Sequence, residues 1–157
     1  MIQAQLLGTL QSSQEYFERS SSALTEEHSK FAPADGMFTA AQVVAHVALT
    51  IDWFVEGAFD RADGFDMNFE AHDAAARSFT SLEKARAALA TSYEAVKARI
   101  SSLSDAELMA PIPDGPVMGG LPRMSIVSGI QDHTAHHRGA LSVYARLVGT
   151  VPPMPYM

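Results

Sequence analysis

Six histidines are the residues of this chain best suited to chemistry at neutral pH, and their spacing is uneven. His133 and His137 stand four apart within the series Ile126, Ile130, His133, His137, Leu141 (or Ala140), Tyr144 and Val148, whose steps of three and four mark the buried face of a helix. Two imidazoles at that spacing project from one side of a helix, one turn apart, and can chelate a single ion. His136 is rotated by about 100° from His137. It falls on a flank with Gly129, Asp132 and Val143, and is set aside as a ligand. His46 lies in a run that is otherwise apolar, between Val44, Ala45, Val47 and Ala48. A histidine in such a place either has a buried hydrogen-bond partner or binds something. If His46, His133 and His137 meet, three neutral imidazoles form a nitrogen site with open coordination positions, which is what a catalytic metal requires. His28, at a helix end, and His72, in a connection, read as solvated.

Four helices have to position these groups. The first is expected from about Ile2 to about His28, with Leu6, Leu10, Phe17 and Leu24 on one face and Ser13, Ser20 and Ser21 leaving room beside it. The second begins near Thr39, where Thr39 and Gln42 form a capping-box pattern. Its apolar residues run almost all round, so it should be deeply buried. A connection from about Arg61 to Phe79 leads to a third helix from about Thr80, with a stripe of Leu82, Leu89, Tyr93, Val96, Ile100 and Leu103. Ser104 to Glu107 can cap one more short turn. The stretch from Met109 to Arg123 holds four prolines and three glycines, so it reads as a long loop with hairpin character and a natural lid. The fourth helix spans about Met124 to Val148, and Gly149 closes it ahead of Pro152 and Pro153. The fold class is therefore all-α, a four-helix bundle in one domain covering residues 1–157.

Bulk composition narrows the function classes. The chain has 157 residues, 47% apolar and 18% charged, in the range of an ordinary globular domain. It contains no cysteine, which excludes disulfides, thiolate ligands and a cysteine nucleophile. Its formal charge of −7 and scattered basic residues argue against nucleic-acid binding. No membrane span or signal peptide is recognisable, so a cytoplasmic protein is expected. Nucleophile-elbow, phosphate-loop and dinucleotide fingerprints are missing.

The series Asp132-His133-Thr134-Ala135-His136-His137-Arg138-Gly139-Ala140-Leu141, followed by Tyr144, Arg146, Leu147, Gly149, Val151, Pro152 and Pro153, resembles the C-terminal signature of the DinB-like (YfiT-like) metalloenzyme superfamily. The resemblance extends over the whole chain through His46 and the loop before the last helix. It implies an up-down-down-up four-helix bundle holding a divalent metal on His46, His133 and His137, with nickel or zinc first and iron or manganese as alternatives. It also implies a homodimer acting on a small molecule, in some relatives as a thiol-dependent S-transferase or isomerase. The alternative is a non-catalytic metal-binding or dimerisation module, for which Phe65, Met67, Phe69 and Met118 are candidate exposed apolar residues. The family often has glutamine after the Arg-Gly pair, where this chain has Ala140. Asp132 has two readings, as an acid orienting an imidazole and as a surface acid. Arg138 is expected to pair with Asp52 or Glu56, or else to be solvated, and Gly139 to let a neighbouring helix approach.

Overall fold

A computed structural model describes residues 2–157. Among them six helices form and no strand: α1 Ile2–Ser21, α2 Ala40–Val55, α3 Phe69–Arg77, α4 Leu82–Ser102, α5 Asp105–Met109 and α6 Ile126–Leu147. The long helices α1, α2, α4 and α6 make the four-helix bundle. Local chemistry sets their ends. The Thr39 hydroxyl accepts from the Gln42 N–H at 3.3 Å while the Gln42 side-chain oxygen accepts from the Thr39 N–H at 2.9 Å, so the expected capping box starts α2. Helix α4 starts one residue later than expected, because the cap is Ser81. Gly149 takes φ +87°, the left-handed conformation that ends α6. The first helix is shorter than its periodicity suggested. It stops at Ser21, and a single 3-10 turn over Glu26–His28 follows.

Contacts between the ends fix the topology. Gln3 at the start of α1 donates to the carbonyl of Ile100 at the end of α4, and Arg86 near the start of α4 donates to the carbonyl of Ser21, so these two helices run antiparallel. Ser20 meets Ser142 at 3.2 Å, and Tyr93 ties Ser13 to Thr134, so α1 and α6 run parallel. The Ser29 hydroxyl, just ahead of α2, accepts from Leu82 N–H at the start of α4, and Asp60 just beyond α2 pairs with Arg99 near the end of α4. Those two are parallel as well. Tyr144 donates to the Phe38 carbonyl at 2.9 Å, and Phe54 packs on Gly129, so α2 and α6 are antiparallel. The order is up-down-down-up. Helix α2 touches both α4 and α6, which is why its apolar residues are not confined to one stripe. Val43, Val44, Val47, Ala48 and Ile51 are all buried.

Parallel packing of α2 on α4 demands a crossover along the bundle. It is built from a π-turn over Glu56–Asp60, a loop, and α3. The sequence predicts only a connection over about Arg61 to Phe79, without the helix found there. Helix α3 is short and buries only Ala76, so it offers no run of large core residues to mark it. Its alanines and the Asn68 cap supply the helical preference instead. The loop from Met109 to Arg123 has the expected hairpin character: Ile112 N–H donates to the Leu121 carbonyl at 2.8 Å and Gly120 N–H to the Ile112 carbonyl at 3.1 Å. No helix among the described residues is long and apolar enough to cross a membrane.

Candidate metal centre

The antiparallel contact of α2 with α6 brings His46 against His133 and His137. Their Nε2 atoms lie 3.1 Å apart for His46 and His133, and 3.2 Å apart for His133 and His137. One ligand atom from each of the three falls within 4.8 Å of the others. Two nitrogens bound at ~2.0–2.1 Å in a tetrahedral shell stand about 3.3 Å apart, so the observed spacings suit a divalent ion. Hydrogen bonding among the rings does not account for the cluster. A neutral imidazole nitrogen carries one hydrogen or one lone pair. His133 Nε2 can therefore make one well-aligned bond, and it faces two neighbours. A cation shared by three lone pairs resolves that conflict, and the donor set fits a divalent metal.

The electrostatics keep those lone pairs free. Burial, followed by the neighbouring imidazoles of His137, His46 and His136, pushes His133 down to about 3. Burial and then His46 and His136 push His137 down to about 4. His46 is also lowered, chiefly by burial, with the Asp73 carboxylate opposing the shift. All three are neutral at pH 7, the state in which imidazole binds metal.

His46 and His133 border a largely apolar cavity of about 220 Å³. Helix α2 contributes Leu49, Thr50, Trp53 and Phe54 to its wall, and α3 contributes Phe69 and His72. Trp53 is pinned by its indole N–H, which donates to the Asp66 carbonyl at 2.7 Å. Arg77, at the far end of α3, donates to the Gly36 carbonyl and stacks 4.7 Å over the Phe38 ring, which packs on His46. The helix that sequence reasoning missed is thus the one that closes the site.

Several expectations are corrected here. His72 is only partly solvated: its side chain is 36% exposed, but it lines the cavity, and its Nε2 is buried 3.3 Å from Asp66 Oδ2 without the alignment of a hydrogen bond. His28 is half-buried and its Nδ1 accepts from the Thr25 N–H at 3.0 Å. The room beside the α1 stripe, where Ser13, Ser20 and Ser21 lie, is not part of this cavity. Ser13 is hydrogen-bonded to Tyr93 of α4 and Ser20 to Ser142 of α6, elsewhere in the bundle. The loop from Met109 to Arg123 contributes nothing to the cavity lining, although Met118 reaches the neighbourhood of Gly129. Phe65 is buried against Gly57, so of the four apolar candidates Met67 and Phe69 are the clearly exposed ones.

Arg138 pairs with neither Asp52 nor Glu56. Its guanidinium lies between the rings of Tyr16 and Tyr156, at 5.7 and 5.6 Å. No atom stands within 4 Å of a Cβ built on Gly139. The glycine that admits a neighbour is Gly129, whose added Cβ would stand 2.9 Å from the Phe54 ring. Asp132 and His136 are exposed on α6.

Fold and site together define a helical bundle whose inner face carries a three-histidine cluster able to hold a metal ion. The family model of the DinB superfamily matches residues 9–141, and the chain belongs to that superfamily. A comparison with curated proteins gives no match. Among solved structures the chain is similar to YfiT from Bacillus subtilis, described as a probable metal-dependent hydrolase with an unusual four-helix bundle topology. The TM-score is 0.72 at 14% identity, covering 94% of this chain and 88% of that one. A protein from Streptococcus pneumoniae matches with TM-score 0.73 and 14% identity over 93% and 91% of the two chains. The DinB-like protein YjoA from Bacillus subtilis matches with TM-score 0.65 and 16% identity over 95% and 96%. At these identities the likeness concerns the fold.

Proposed function

We propose that this protein is a divalent-metal-dependent enzyme acting on a small molecule, with His46, His133 and His137 as the metal ligands. The observation that carries the reading is the convergence of three neutral imidazoles beside a cavity, with no carboxylate joining them among the described residues. Three protein ligands leave a position for water or substrate, whereas a structural site fills its shell with protein atoms. That weighs against the ion acting only as a staple. A divalent ion there supplies Lewis-acid chemistry and lowers the pKa of a water or thiol within its reach.

The protein's own part is to hold the ligands neutral, to orient the substrate against Trp53 and Phe54, and to keep bulk water away with α3. With no cysteine in the chain, any sulfur transferred must come from a thiol cosubstrate. The reaction is thus either hydrolysis, the class named for YfiT, or thiol-dependent S-transfer. The family resemblance extends the proposal to nickel or zinc as the ion, with iron or manganese as alternatives, and to a cytoplasmic homodimer. The test is a screen of the nickel- and zinc-loaded protein against uncharged esters and amides, and against low-molecular-weight thiols paired with electrophiles. Turnover that is abolished by a chelator and by His133→Ala supports the proposal. Turnover that persists in His133→Ala would contradict it.

A further inference from the structure

The cavity beside the triad has a chemical character of its own. Its apolar walls are Leu49, Trp53, Phe54 and Phe69, and its polar lining is Thr50 with three histidines. No lysine or arginine borders it. The nearest arginine of α3, Arg77, is committed to Asp73, with Nε 2.6 Å from the carboxylate. The acids nearby are themselves partnered: Asp66 lies against His72 and Asp73 against Arg77. A carboxylate or phosphate on the ligand body would therefore enter without a free counter-ion, which is costly in a half-buried site.

Size and surface point the same way. An apolar cavity of about 150 Å³ takes up benzene, so about 220 Å³ has room for one ring with a short substituent. Phe69 remains 56% exposed at the mouth although it belongs to an ordered helix. A large aromatic left in water beside an apolar cavity gains by covering a ligand there. Trp53 cannot turn away, since its N–H is held by the Asp66 carbonyl.

We infer that the cavity formed by α2 and α3 beside the histidine triad binds an uncharged aromatic small molecule, which stacks against Trp53 and is covered by Phe69. The inference rests on the reading of this cavity as the substrate site, and it names the substrate class. Trp53 is the only tryptophan, so its fluorescence reports occupancy of this cavity alone. The probes are para-nitrobenzyl alcohol, whose nitro ring quenches indole emission, and para-nitrobenzoate, which has the same ring and a charge. Both are titrated into the full-length protein as purified and again after chelator treatment, so that no ion rewards the carboxylate.

Saturable quenching by the alcohol in both preparations is expected. The benzoate should bind the chelated protein at least about 10-fold more weakly. Phe69→Ala, a change at an exposed position that leaves the core intact, should weaken the alcohol by about 3-fold or more. Linear, unsaturable quenching by the alcohol overturns the inference, as does a benzoate affinity equal to that of the alcohol, or a Phe69→Ala variant that binds like the parent. Metal content, measured on the same preparations, reports separately on the ligand triad. A metal-free protein that still binds the alcohol therefore refutes the metal reading and leaves the cavity's preference standing.

Discussion

Nε2 of His46 on α2 lies 3.1 Å from Nε2 of His133 on α6, across 87 positions of sequence. Nothing local in the chain links the two. They meet because α2 and α6 run antiparallel on one side of the bundle, with Tyr144 bonded to Phe38 at one end and Phe54 resting on Gly129 at the other. The chemistry of the site therefore depends on the register of a single helix pair.

That register should be sensitive to Gly129. A methyl group there would stand 2.9 Å from the Phe54 ring, so either that ring or α6 would have to shift. Gly129→Ala is expected to destabilise the protein by about 1–3 kcal/mol. Gly139→Ala, with nothing within 4 Å of its added Cβ, should gain roughly 0.5–1 kcal/mol from helix propensity. Urea unfolding of the two variants distinguishes them. Equal effects would show that the contact of α2 with α6 has been misread.

The metal-free protein should lose stability as it is acidified from about pH 6.5 toward about pH 4. His133 and His137 are depressed to about 3 and about 4 in the folded state. The unfolded chain takes up protons first, near the ordinary histidine value of about 6.5. Stability from these groups is thus complete above that value and is lost as pH falls toward their folded values, by up to about 1.4 kcal/mol per pH unit for each group. His133→Gln should flatten the profile. A parent profile with no slope between pH 6.5 and 4.5 would contradict the buried, neutral triad.

Tyr93 is fully buried, with its hydroxyl 3.0 Å from Ser13 Oγ and 3.3 Å from Thr134 Oγ1. It joins α1, α4 and α6. Tyr93→Phe leaves two buried hydroxyls short of a partner and should cost about 1–3 kcal/mol, without change in metal content. Loss of metal in that variant would mean that the network positions α6 more tightly than its geometry implies.

Arg138 should prove structural. It fastens the C-terminal segment through Tyr156, one residue after Pro155, whose carbonyl accepts from Arg19. Arg138→Ala is expected to cost about 1 kcal/mol through lost cation–π contacts and to speed proteolysis after Val151, with metal binding retained. A variant that loses metal would place Arg138 in the site.

The histidine cluster was legible because two of its members share a helix and the third interrupts an apolar run. Periodicity sees both features. The cavity was not legible. His72 and Phe69 sit on a short helix that buries only Ala76, positioned by Trp53 of α2 and by Asp66 in the loop ahead of α3, and pattern reading has no access to such tertiary support. Gly139 drew attention by lying beside the histidines, while the glycine at the close approach is ten residues earlier, facing Phe54. For Arg138 the sequence offers an acidic partner or solvent, the two default readings of an arginine. Its tyrosine partners come from α1 and from the chain's end, and sequence distance hides both.

The central claim is that His46, His133 and His137 hold one divalent ion together. Elemental analysis of untagged protein, purified without chelators, tests it most directly when run beside His46→Ala and His133→Ala. The account predicts close to one ion per chain in the parent and loss in both variants. A parent that carries no metal and takes up none of added nickel, zinc or iron would contradict it, as would a His46→Ala variant that keeps its ion.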